Sequence, residues 1–400
     1  MNKLSTSQKL LYVKYEIRGE LARKALDLEN DGNVITYLNI GNPASYGLSA
    51  PERIKQSMVA NIASCDAYTG QKGIFPAREA IVMQQQSRGI MSGNVEHVFL
   101  GNGVSELIDI TLRALLNAND EVLIPSPDYP LWTAATILNG GKPVHYPCSS
   151  SNNFSPNIED IKKLITNKTR AIVLINPNNP TGSVYTKETI KSICDLCRET
   201  GVLLLADEIY DHMTYEDNEF IPASLIDQEL PIITYSGLSK VYRACGYRVG
   251  WLSLTGNLTG ANDLINAIEL LSALRLCSNV PGQWAVQTAL GGYQSINDLV
   301  TPGGRLFNSR KAVIDAVNES RHLSLVPPGG AMYAFLEVDK PSFDDQAFAL
   351  ELLNKEHILL APGTSFNYFH KNALRITLLP EANILKLCIK KIDNLVSNFS

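Results

Sequence analysis

Seven short apolar runs punctuate the chain between Val95 and Leu254: "VEHVFLG", "DEVLIPSP", "PVHYP", "RAIVLINP", "VLLLADEIY", "PIITYSG" and "VGWLSL". They are rich in Val, Ile and Leu and nearly continuous, a pattern that predicts strands covered on both faces. Amphipathic helical stretches separate several of them, among them "SELIDITLRALLN" and Lys187–Thr200. Strands alternating with helices predict an α/β fold, with a doubly wound, seven-stranded, mostly parallel sheet. "PIITYSG" and "VGWLSL" are joined too closely for a long crossover helix, which leaves one strand open to an antiparallel placement.

Near "TPGGRLFNSRKAVIDAVN" the pattern changes to a long helix and then to the mixed segments "GGAMYAFLEV" and "LLAPGTSF". The expected division is a large domain over 46–299 and a small α+β domain built from 1–45 together with 300–400. A hydrophobic content of 45% in 400 residues provides enough core for both.

The charge balance narrows the function. A net charge of −5 and scattered lysines and arginines give no basic surface for nucleic acid or an anionic membrane. No run approaches the roughly 18 apolar residues of a spanning helix. The start, "MNKLSTSQKLLYVKYEIRGE", lacks the apolar core and cleavage site of a signal peptide, so a cytoplasmic protein is expected. Seven cysteines without regular spacing suit a reducing compartment. Cys194 and Cys197 form a CxxC, but within an amphipathic helical pattern, which predicts two core-facing residues. The six histidines fall in unrelated contexts, His212 is read as structural, and no metal site is expected.

In open α/β sheets ligands bind beyond the carboxyl ends of the strands. The first run leads into "GNGVSE", a glycine turn opening a helix, whose free N–H groups suit an anion such as phosphate. The match to a dinucleotide fingerprint is partial, and the next strand ends in "IPSPDYP" where such a site wants an acid. The fourth run ends in "NPNNPTG", a rigid turn carrying three amides. The fifth places Asp207 after apolar residues, where a carboxylate needs a cation or strong donor. The sixth ends at Lys240, and Arg248 follows eight positions later. An anion nest, an amide, a carboxylate, a tyrosine, a lysine and an arginine thus converge. A phosphorylated heteroaromatic aldehyde uses all of them, the lysine as an imine and the carboxylate on a ring nitrogen. That ligand is pyridoxal 5′-phosphate.

"NPNNPTG", "ADEIY" and "SGLSKVYRACGYRVGW" resemble the class I/II aminotransferases of the fold-type-I enzymes, and the resemblance runs from "LNIGNP" to "LRITLLP". Within that family, "YEIRG", "PSPDYPLWTA", "INPNNPTG" and "LRLCSNVP" look like the bacterial alanine (glutamate–pyruvate) aminotransferases. The resemblance implies an exchange of an amino group between an L-amino acid and a 2-oxo acid, with alanine/pyruvate and glutamate/2-oxoglutarate as the expected pairs. It makes Lys240 the imine-forming lysine, Asp207 the partner of the ring nitrogen, and Tyr210 and Asn179 the donors to the phenolic oxygen. Tyr129 is the expected stacking aromatic, and Gly103, Val104, Ser105 and Arg248 the phosphate cup. Tyr68 matches a residue given across a homodimer interface. Arg375 matches the clamp on the substrate α-carboxylate, helped by Asn179, and Gly41 a backbone contact to substrate.

Two positions depart from the family. Where many relatives carry a phosphate-binding serine stands Gly237, so Ser236 or Ser239 is expected in the cup. Leu274 replaces the arginine of aspartate-specific enzymes, which argues against a dedicated aspartate enzyme; Arg18 or Arg275 is left to meet a γ-carboxylate. A C–S lyase on the same scaffold is a rival, because such enzymes share these residues. A non-enzymatic regulator carries a DNA-binding domain ahead of this fold, for which the sequence leaves little room.

Overall fold

The computed structural model of the protein describes residues 4–13 and 19–399. The seven runs become seven strands: β1 (Val98–Gly101), β2 (Glu121–Ser126), β3 (Lys142–Pro147), β4 (Thr169–Ile175), β5 (Leu203–Asp207), β6 (Ile232–Gly237) and β7 (Gly250–Thr255). They form one sheet in the order β1-β7-β6-β5-β4-β2-β3. β2 to β6 pair in parallel, whereas β7 runs antiparallel to both β6 and β1. The short link from β6 to β7 accounts for this: it brings Gly237 directly opposite Gly250 and leaves no length for a crossover helix.

β1, β2 and β7 are buried along their whole length. β3 departs from the expectation of two covered faces. It is an edge strand with exposed ends, Lys142 and Pro147.

Three helices matter for the site. α1 (Val104–Leu115) starts directly after Gly103, and α2 (Pro130–Leu138) starts after Tyr129. α3 (Lys187–Thr200) has the bounds its hydrophobic period predicts. The Thr186 hydroxyl accepts from the Thr189 N–H at its start, and Gly201 closes it in the left-handed region at φ 69°. Cys194 and Cys197 lie on its buried face beside Ile190 and Ile193, with free thiols. Burial pushes the Cys194 thiol up to about 12, so it behaves as core rather than as a nucleophile.

A second, four-stranded antiparallel sheet comprises β8 (Leu323–Leu325), β9 (Tyr333–Val338), β10 (Ala361–Pro362) and β11 (Ala373–Thr377), ordered β10-β11-β9-β8. Thr36–Tyr37 pairs in parallel with Ile358–Leu359 beside it. Its core joins Leu21, Ala25 and Leu38 to Val313, Phe348, Leu352, Ile376 and Ile389. We propose the domain boundaries at 45/46 and 299/300 from this shared core. Ala331, Met332, Tyr333 and Leu379 pack instead with residues of the large sheet's layer, so the two units meet through a hydrophobic contact. Among the described residues, no helix is long and apolar enough to cross a membrane.

Candidate active site

The carboxyl ends of β4, β5 and β6 lie on one edge of the parallel sheet, and each delivers one of the predicted polar groups there. Asp207 is the last residue of β5 and is 3% exposed. Trp132, one turn into α2, donates its indole N–H to Oδ2 at 3.1 Å, and the Ile209 N–H reaches Oδ1 at 3.4 Å. Burial lifts the Asp207 carboxyl to about 6, against the opposing pull of Trp132, Ile209 and the Lys240 charge. A carboxylate so placed gains from a nearby cation.

β6 ends at Gly237, and the turn after it carries Lys240, whose Nζ donates to the Gly41 carbonyl at 2.7 Å. Gly41 has to be glycine, because a Cβ there would overlap the Tyr333 hydroxyl.

The glycine turn after β1 opens α1 at Gly103. Gly103 has φ 86°, and no side chain caps α1, which leaves its first N–H groups without a side-chain acceptor. A Cβ on Gly103 would overlap the Arg248 guanidinium. Arg248 itself sits in the left-handed region at φ 50° and donates to the carbonyls of Asn102 at 3.2 Å and Cys245 at 3.0 Å. Asn279 holds the two loops together. Its Nδ2 donates to the Tyr247 and Arg248 carbonyls at 3.1 and 2.8 Å, and its backbone N–H to Asn102 Oδ1 at 2.8 Å. Ser236 is buried on β6 and Ser239 half-buried in the turn beyond it, where its carbonyl accepts from the Cys245 thiol at 2.9 Å.

Arg375, on β11, is 2% exposed. It donates to Asn179 Oδ1 at 3.0 Å and to the Asn39 carbonyl. Its guanidinium lies between the Tyr333 and Phe366 rings, 4.4 Å from each centroid. A planar guanidinium held flat in this way presents a fork suited to a carboxylate. Tyr210, just beyond β5, is buried with its hydroxyl 2.9 Å from that of Tyr333. Burial raises its phenol well above the ordinary range, so it stays a neutral hydroxyl, and either hydroxyl of the pair can be the donor. Tyr129 is half-buried at the foot of α2, three residues before Trp132.

The remaining expectations separate. Tyr68 is 77% exposed within one chain. Arg18 lies outside the described residues. Arg275 pairs with Glu106 at 3.1 Å and donates to the Leu100 carbonyl at 2.7 Å. His212 sits 2.6 Å from Arg88, which also pairs with the buried Asp211 at 2.8 Å. Sequence reasoning missed Trp132, Tyr333, Phe366 and Asn279. The position of Trp132 in the first turn of the helix that Tyr129 opens was an available signal; the others depend on contacts between distant segments.

The cluster thus offers an anion cradle, an amine, a buried carboxylate, neutral hydroxyl and amide donors, and a clamped guanidinium. Comparison with known proteins agrees. The family model for aminotransferase class I and II matches residues 34–390. The glutamate-pyruvate aminotransferase AlaA of Escherichia coli K12 is 44% identical over 402 residues, covering 100% of this chain and 99% of the relative. The alanine aminotransferase of Mycobacterium tuberculosis H37Rv is 46% identical over 98% of this chain and 92% of the relative. The solved alanine aminotransferase from Pyrococcus furiosus superposes with a TM-score of 0.94 at 32% identity, covering 98% of this chain and 100% of that one.

Proposed function

The chain belongs to the class I and II aminotransferases, enzymes of pyridoxal 5′-phosphate, and on that footing we propose that it exchanges an amino group between alanine and 2-oxoglutarate. The observation that carries this reading is the placement of Asp207 and Lys240 at the ends of adjacent parallel strands, with the Arg375 clamp across from them. The choice of alanine is supported by the names of relatives at 44% and 46% identity.

The residues fit the cofactor group by group. Gly103, Val104, Ser105 and Arg248 would hold the phosphate, with Ser239 or Ser236 at the cup's edge, and the Gly103 turn is open only because a Cβ is absent. Asp207 would face the ring nitrogen, Tyr210 and Asn179 the phenolic oxygen, and Tyr129 the ring face. When bound, the cofactor supplies an electron-withdrawing ring that stabilises negative charge on the substrate Cα.

The chain's own residues do the rest. Arg375 pins the α-carboxylate of whichever amino or oxo acid is present, so one clamp serves both halves of a ping-pong cycle. Lys240 Nζ, once free of the cofactor, takes the proton from the substrate Cα as general base and returns it as general acid. Asp207 would hold a proton on the ring nitrogen through its charge, and Trp132 anchors its Oδ2. Gly41 gives Lys240 a neutral acceptor and offers the substrate a backbone contact.

The exposed apolar side chains Val59, Ile62, Tyr68, Phe75, Leu270 and Leu274 support a homodimer in which Tyr68 reaches the partner's site. Free thiols and an acidic balance support a cytoplasmic setting. Arg18 remains a second candidate for substrate contact. The test is Lys240→Ala in the cofactor-loaded protein: exchange should fall by several orders of magnitude. Wild-type exchange by that variant would remove Lys240 from the chemistry.

A further inference from the structure

Tyr333 opens β9 where the two sheets meet, and it touches three residues of the proposed site at once. It is 2% exposed. Its hydroxyl lies 2.9 Å from the Tyr210 hydroxyl and fills the space that a Cβ on Gly41 would need. Its ring face carries the Arg375 guanidinium, 4.4 Å from the centroid. Sheet register explains this reach. Tyr333 pairs with Thr377 and Phe335 with Arg375, so Tyr333 and Arg375 are diagonal neighbours on one face of the β9–β11 pair. The Tyr210 and Tyr333 rings meet edge-on at 82°, with centroids 5.8 Å apart.

A buried tyrosine that served packing alone would need no particular partner for its hydroxyl beyond one acceptor or donor. Here the partner is a second hydroxyl, and the pair has a directional consequence. Each phenol has one proton to donate. If Tyr333 donates to Tyr210, the Tyr210 proton is left for a third acceptor, and its donor strength rises because its own oxygen is already accepting. The guanidinium has a parallel constraint. Sandwiched between the Tyr333 and Phe366 faces, Arg375 cannot tilt out of plane, which fixes the direction of its fork.

We propose that Tyr333 is a positioning residue for the amino-transfer site assigned above: its ring sets the plane of Arg375, and its hydroxyl leaves the Tyr210 proton directed at the cofactor oxygen. One side chain of the small sheet thereby fixes the substrate clamp and the cofactor donor relative to each other. The two roles use different parts of the side chain, so they separate by mutation.

The test uses the cofactor-loaded protein and two variants. Tyr333→Phe keeps the ring and removes the hydroxyl. The pH midpoint of the cofactor's visible absorbance should rise by roughly 0.3–1 unit, since Tyr210 becomes a weaker donor. Binding of glutarate, an unreactive dicarboxylate, should stay within about twofold of wild type. Tyr333→Leu removes the ring face, and glutarate should bind about tenfold more weakly. Arg375→Ala is the control and should lose glutarate binding. An unmoved absorbance midpoint in Tyr333→Phe overturns the hydroxyl role, whether or not Tyr333→Leu folds. Unchanged glutarate binding in a folded Tyr333→Leu, beside a sensitive Arg375→Ala, overturns the ring role while leaving the site assignment standing. An insensitive Arg375→Ala would instead bring down the clamp assignment and this inference with it.

Discussion

Lys240 and Gly41 are joined by a 2.7 Å hydrogen bond from Nζ to the backbone carbonyl, across 199 residues of sequence. The contact ties the turn after β6 to the loop after Leu38. It leaves no room at Gly41, because a Cβ would overlap the Tyr333 hydroxyl. Gly41→Ala should therefore shift the loop, destabilise the protein by about 1–3 kcal/mol and lower kcat. Thermal melting and steady-state kinetics check this. A variant with wild-type melting temperature and kcat would mean that the loop yields freely.

Asp207 carries a pH dependence. Burial lifts its carboxyl to about 6 in the free protein, so it is mostly neutral below that pH and charged above. Only the charged form pairs with a protonated ring nitrogen, so the affinity for cofactor should rise from pH 5 to pH 7. Asp207→Asn removes this titration. The ratio of wild-type to variant affinity should grow by about tenfold over that interval. A constant ratio would show that Asp207 does not meet the ring nitrogen.

Glu208, the next residue, is buried behind the site, and its Oε1 accepts from the Ala223 N–H at 2.9 Å. Burial pushes its carboxyl up to about 8, with Ala223 and Arg88 pulling the other way. The sign is that of a raised acid. Its contribution to stability is complete below the unfolded-state value near 4.3 and is lost as pH rises toward 8. Glu208→Gln keeps the acceptor and removes the charge. The variant's melting temperature relative to wild type should be higher at pH 8 than at pH 5, an effect on the order of a few kcal/mol. A difference independent of pH would contradict the shift.

Much of this architecture was legible in the residues. Continuous apolar runs marked the strands of the large sheet, and the short β6–β7 link anticipated the one antiparallel strand. Asp207 stood out because a carboxylate closing an apolar strand has few bland explanations, and Lys240 because a flexible turn precedes it. What could not be read was everything that depends on two distant segments meeting. Tyr333 lies 123 residues from Tyr210, and nothing local marks it as more than a strand aromatic. Arg275 and Arg375 look alike as isolated arginines in the sequence. Only the fold shows one engaged by Glu106 at the foot of α1 and the other clamped between two rings.

The Tyr68 assignment concerns assembly. Its 77% exposure within one chain fits a side chain that works in a second subunit. Sedimentation should give a dimer at assay concentrations, and Tyr68→Ala should weaken cofactor affinity by about tenfold, as expected for loss of a hydrogen bond to a charged phosphate. A fully active monomer would contradict both.

The central claim is tested most directly by initial velocities with alanine and 2-oxoglutarate varied together, following pyruvate. Double-reciprocal plots should be parallel, as a ping-pong exchange requires. Alanine alone should release no more than about one equivalent of pyruvate per site, because the cycle then waits for an oxo acid. Sustained turnover of an amino acid with no oxo acid present would contradict amino transfer and point to elimination chemistry on this scaffold.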